Sequence, residues 1–234
     1  MNKNLAIFRS DIKSTRRDPT LLMMLFSPVL IILVLRYGLP VLTSFIPDLP
    51  GYYLSVTVFM GLLGAILPGI VVAFLLLDEK EAGLFTAIRV TPVSISGMLA
   101  SRMMSLIVLS FISSAAILSM AGLYTFSWMQ MLQIALLSGG NVPVFIMLIA
   151  HFAHNKIEGM AMLKVTMLLV MIPVLVFFFN DEWIYLFSFF PSFWVFAFAR
   201  AELPSNFIFL LGIIYLLLLN TGVFYFAGKK AVWH

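Results

Sequence analysis

Six runs of mostly apolar residues, at roughly 21 to 45, 53 to 77, 98 to 123, 129 to 150, 165 to 179 and 206 to 227, occupy most of this 234-residue chain. A helix needs about 20 such residues to cross a bilayer core. In lipid it must also satisfy its own backbone, because no water is there to do so. The runs therefore predict an all-α integral membrane protein with six transmembrane helices, and they leave almost nothing over for a soluble domain. Hydrophobic residues make up 62% of the chain and charged residues 10%, with a mean hydropathy of +1.10, which excludes an ordinary soluble composition. The first run is not followed by a small-x-small cleavage site. Arg36, Tyr37 and Pro40 stand there instead, so it reads as a retained helix. Cysteine is absent, which removes disulfides and thiolate chemistry.

Placing the N-terminus in the cytoplasm puts every Lys and Arg inside except Arg36 and Arg200, while the outer connections carry Asp48, Asp181, Glu182 and Glu202. This asymmetry predicts an N-in/C-in topology. It also accounts for the net charge of +4 without a nucleic-acid patch, so no nucleic-acid partner is expected.

Residues 4 to 17 place Leu5, Phe8 and Ile12 on one helical stripe and Arg9, Lys13 and Arg17 on the next, as a helix lying on the inner membrane surface would; a plain basic tail is the alternative. The second run carries Gly61, Ala65, Gly69 and Ala73 at every fourth position, a stripe suited either to close helix packing or to the wall of a pathway, and Pro68 implies a kink there. The fourth run contains Ser138 to Pro143. Two glycines, Asn141 and Pro143 predict a polar interruption near mid-membrane, a place to handle substrate or to pack helices. Residues 151 to 159 read as an inner loop whose His151, His154 and Glu158 fall short of a metal site, so no metal is expected. Between 180 and 204, apolar pieces Glu182 to Phe190 and Ser192 to Arg200 flank Pro191, with Trp183, Tyr185 and Trp194 as interfacial aromatics. That pattern predicts an outer re-entrant hairpin, with an ordinary interfacial loop as the alternative.

Enzyme signatures are missing. The chain has no His-Glu-x-x-His, no Gly-x-Ser-x-Gly, no intramembrane aspartate pair and no phosphate loop. Work against a gradient must then draw its energy from another chain. A membrane-embedded enzyme of lipid or cell-wall metabolism would have to rely on His151, His154 and Glu158. A non-transporting immunity or sensor subunit is the other alternative.

The most informative stretch lies between the second and third runs. From Glu79 to Val90 the residues suit a short helix with Leu84, Phe85 and Ile88 on one side, and Thr91 and Pro92 suit the cap and first position of the next helix. A rigid cytoplasmic segment of this kind docks either on a partner groove or on lipid. Its sequence, EKEAGLFTAIRVTPVSISGMLASRM, resembles the first cytoplasmic loop of ABC transporter type-2 permeases at Glu81, Gly83, Thr91, Pro92 and Val93, although Leu84 replaces the family's Thr and Arg102 its later Lys. RRDPTLLMMLFSPVLIILVL and FFPSFWVFAFAR are similar to the family's first-span start and outer Pro-aromatic segment.

The resemblance implies a single type-2 permease transmembrane domain over 1–234 in a prokaryotic cytoplasmic membrane. Such a chain pairs with a second copy or a paralogue and with two ABC ATPase subunits, which bind the ATP and Mg; the chain itself carries no cofactor. The segment at 79 to 90 becomes the coupling helix, with Glu81, Gly83, Leu84, Phe85, Ile88, Arg89, Thr91 and Pro92 at the ATPase contact. Gly61, Ala65, Gly69, Asn141 and Pro143 are then the pathway or packing residues, and Trp183, Pro191, Trp194 and Arg200 mark the hairpin. The expected activity is ATP-driven export of a hydrophobic or amphipathic drug, lipid or peptide. Few polar anchors and many Met and aromatic residues suit such a cargo.

Overall fold

Long apolar runs become long helices because only a helix satisfies its backbone without water. The computed structural model describes residues 19–84, 95–179, 182–200 and 206–229. Among them every regular element is helical: α1 (Pro19–Leu33), α2 (Leu39–Leu42), α3 (Tyr53–Glu81), α4 (Ile95–Met120), α5 (Trp128–Phe152), α6 (Lys156–Met171), α7 (Phe193–Arg200) and α8 (Asn206–Lys229). Six stretches are long and apolar enough to cross a membrane: Leu21–Leu42, Leu49–Glu81, Gly97–Met120, Trp128–Phe152, Lys156–Phe177 and Asn206–Tyr225. The surface helix expected at 4 to 17 lies outside the described residues.

Local chemistry sets the ends. Ser127 caps α5 through its side chain and Gln130 returns the bond, a capping box. Asn155 caps α6 by accepting from the Glu158 N–H. A wide π turn, Val34–Gly38, joins α1 to α2. It lies just ahead of Pro40, whose ring would strike the Arg36 carbonyl of a regular helix, and the wider turn relieves that conflict. Pro173 ends α6 as an α-helix, and the chain continues in a tighter turn over Ile172–Phe177.

The core is a trio, with α3 and α5 buried along most of their length and α4 packed on both. The remaining spans sit outside it. The α1, α6 and α8 spans expose most of their apolar surface, as lipid-facing helices do. Small residues bring the trio together. Gly69 of α3 faces α5 so closely that a Cβ would lie 2.5 Å from Val142, and Gly139 of α5 lies against the α4 backbone, where a Cβ would be 3.0 Å from the Ile107 carbonyl oxygen. Ser110 of α4 donates to the Ala65 carbonyl of α3 at 2.8 Å.

Three expectations are corrected. The polar interruption in the fourth run is absent, since α5 passes unbroken through Gly139, Gly140, Asn141 and Pro143. Asn141 finds its partner on its own helix, donating from Nδ2 to the Leu137 carbonyl at 2.8 Å, and the glycines serve close packing. The fifth span begins at Lys156 and not near 165, because the Asn155 cap starts the helix there; the inner loop shrinks to residues 153–155. Glu79, Lys80 and Glu81 belong to the last turn of α3 and do not begin a separate helix. Gly83, at φ +67°, breaks the helical path just beyond that turn.

An unbroken α5 makes Pro143 dispensable. Pro143→Ala is expected to leave thermal stability in detergent unchanged or raised, since it restores a backbone donor inside a continuous helix. A marked loss of folded protein would show that the proline shapes the helix after all.

Candidate functional site

At one end of the bundle the last turn of α3 presents four consecutive charged residues, Asp78, Glu79, Lys80 and Glu81, and three neighbouring helices answer them. Arg102 of α4 donates from both Nη atoms to the two carboxylate oxygens of Glu79, each at 2.6 Å. The pair is largely withdrawn from solvent, with side chains 6% and 18% exposed. Fork-on-fork geometry makes this the strong kind of ion pair, and removing one partner of such a buried pair costs about 3–5 kcal/mol.

Lys80 points the other way, donating from Nζ to the Ala153 carbonyl at 3.1 Å and, more weakly, to that of Ala150 at 3.5 Å. These are orphan carbonyls at the C-terminal end of α5, where a cation is favoured by the helix dipole. Lys156, the first residue of α6, is held through both backbone and side chain. Its backbone N–H donates to Glu81 Oε1 at 2.9 Å, and its Nζ lies 3.0 Å from Asp78 Oδ1. Both side chains of that ion pair are about 40% exposed, so it is worth less than about 1 kcal/mol. One turn of α3 thereby joins α4, α5 and α6, and immediately beyond it Gly83 turns the chain away.

Three of the expected contact residues, Glu81, Gly83 and Leu84, sit around this knot. Glu81 is its outermost member, Gly83 has open space where a side chain would be, and Leu84 is exposed. Phe85, Ile88, Arg89, Thr91 and Pro92 lie outside the described residues. Gly61, Ala65 and Gly69 are buried on α3, where Gly61 faces Leu118 of α4 at 3.2 Å from its would-be Cβ. Asn141 and Pro143 are buried on α5, away from the knot.

At the opposite end, Glu182–Phe189 forms a tight helical turn, and residues 190–192 lead from it into α7, with Pro191 in the bend. Trp183 is exposed, whereas Trp194 stacks on Tyr215 of α8 with ring centroids 5.7 Å apart. Arg200 closes α7 by donating to the carbonyls of Val176 and Phe179, tying the piece back to the end of the fifth span. The two apolar pieces flanking Pro191 are thus both present as helical segments.

His154 pairs with Glu158 at 3.1 Å, Asn155 Nδ2 bonds the other Glu158 oxygen, and His151 packs edge-on against Phe152. These contacts serve the start of α6. Among the described residues no three His, Asp or Glu side chains gather as metal ligands would.

Sequence reasoning overlooked Asp78, Glu79, Lys80 and Lys156 as site residues and treated Arg102 only as a motif position. A signal was available. Three acidic residues at one end of a span, with Arg102 and Lys156 at the ends of later ones, must be neutralised if those ends converge.

The family described as fluoroquinolones export permease protein Rv2686c-like matches residues 11–224. The fluoroquinolones export permease proteins MT2760 and Rv2686c, from Mycobacterium tuberculosis strains CDC 1551 / Oshkosh and H37Rv, are each 35% identical over 199 residues, covering 81% of this chain and 79% of theirs. No solved structure matches. With six apolar helices and bacterial permeases as relatives, the chain is a multi-pass protein of the bacterial cell membrane.

Proposed function

Because this chain belongs to the Rv2686c-like family of fluoroquinolones export permeases, we propose that it is the membrane-spanning subunit of an ATP-driven exporter of the ABC type-2 kind, whose cargo is an amphipathic drug of the fluoroquinolone class. In this reading it works beside a second permease copy or a paralogue and with two separate ATPase subunits, which bind ATP and Mg. The charged end faces the cytoplasm, the segment opening at Leu84 seats on the ATPase, and the piece from Glu182 to Arg200 is an outer re-entrant hairpin.

The observation that carries the reading is the knot at the end of α3. A coupling segment must push on something stiff, and the chain enters this one directly from a helix that runs unbroken from Tyr53 to Glu81 and is pinned at its exit to three others. Force that reaches the end of this helix is therefore passed to the buried core. The relatives' names support the cargo class, and an exterior that is apolar between the span ends apart from Arg36 and Lys164 suits an amphipathic solute more than an ion.

The test is Leu84→Asp with Phe85→Asp. A charged pair on the apolar contact is expected to abolish copurification of the ATPase and to drop fluoroquinolone efflux to the level of cells lacking the permease, with normal amounts of protein in the membrane. Efflux that persists in this variant, or a wild-type chain that brings down no ATPase, would sink the reading.

A further inference from the structure

The links at the end of α3 are of two unlike kinds, and the contrast assigns them different tasks. Toward α4 the link is the bidentate Glu79–Arg102 pair, shielded from solvent and backed by the buried Ser110 to Ala65 bond deeper in the same interface. Toward α6 it includes the exposed Lys156–Asp78 pair and the Lys156 N–H to Glu81 bond. Below that clasp α6 meets α3 through Gly159, which offers no side chain and lies flat on Leu77 and Phe74. The span led by α6 is largely exposed and packs less on α3 than α4 or α5 do.

Interlocked, desolvated contacts hold two helices as one body, whereas screened ion pairs over a smooth glycine contact let helices slide. We propose that Lys156 is a positioning residue of the transport cycle: α3 and α4 move together, and the Lys156 clasp on Asp78 and Glu81 opens to let them shift against α6. This rests on the permease reading above. The exposed pair is cheap to break and re-form with each cycle, and it sits at the turn from which the proposed coupling segment departs.

This chain has no native cysteine, so within it the test reads only the introduced pair. Asp78→Cys with Lys156→Cys is bridged by a reducible bifunctional methanethiosulfonate reagent in inverted membrane vesicles from cells carrying the whole transporter, and ATP-dependent uptake of ciprofloxacin is followed. Bridging is expected to cut uptake at least ten-fold, and reduction to restore it. Uptake unchanged by bridging overturns the proposal. Where that double variant fails to accumulate, Glu81→Cys with Lys156→Cys takes its place.

A purely structural role is separated by single variants. Lys156→Met is expected to raise the ATP hydrolysed per drug moved several-fold at an unchanged amount of folded protein, and Lys156→Arg to return the ratio to normal. A lower protein amount with an unchanged ratio counts against the clasp. Vesicles of the unaltered protein that take up no drug refute the permease reading and this inference with it, an outcome distinct from failure of the clasp alone.

Discussion

Arg102→Met is expected to remove most of the folded protein from the membrane, whereas Glu79→Gln combined with Arg102→Met restores it. In the single variant the Glu79 carboxylate keeps its position, 18% exposed, but loses both donors. A charge withdrawn from water without its partner costs about 3–5 kcal/mol, a large share of what a domain of this size has to spare. Neutralising both members removes the uncompensated charge, and replacement of buried pairs by neutral side chains of similar volume is often close to neutral. Thermal unfolding in detergent, read beside membrane abundance, distinguishes the two. Equal instability of the single and double variants would show that the ion pair is not what holds this end together.

Gly139→Leu carries the second large effect. The obstacle at this position is main chain, with the Ile107 carbonyl oxygen 3.0 Å and the Phe111 nitrogen 3.3 Å from a would-be Cβ. Main chain cannot swing aside as the end of a side chain can, so α4 must move bodily away from α5. Overpacking in a rigid core costs about 1–3 kcal/mol and more when backbone is displaced. Loss of a folded, monodisperse species on size-exclusion chromatography is the expected result. Gly222→Leu on α8 is the control, because nothing lies within 4 Å of its would-be Cβ. A Gly139→Leu protein as stable as that control would refute the close approach of α4 and α5.

The architecture was legible wherever one physical rule dominates. Apolar length dictates spans, so six helices follow from the runs. The pairing of Glu182–Phe189 with α7 across Pro191 follows from an apolar stretch that a proline divides. Legibility failed where two rules compete. At Ser138 to Pro143 low helix propensity opposes the requirement that a backbone in lipid satisfy itself, and the second prevails, leaving Asn141 bonded to its own helix. At Glu79 to Glu81 the run of charge suggests the start of a separate surface helix, yet the long helix continues because α4, α5 and α6 each supply a partner. Those partners lie 23, 73 and 75 residues away along the chain, and no local pattern reveals that they converge.

The inward-facing small residues of α3 bear on how such a protein diversifies. Gly61, Ala65 and Gly69 are spent on contacts with α4 and α5, so almost any enlargement there is punished by the core itself. The outer spans carry this burden only locally, at positions such as Gly159 and Gly212, whereas Val34 and Tyr37 on the first and Leu217 and Leu218 on the last stand exposed and free to vary without unseating their neighbours. Under the permease reading proposed above, selection for a different cargo would act by repainting the outer helices around a frozen centre. Tolerated substitutions should accordingly accumulate on those faces, while the trio stays nearly invariant.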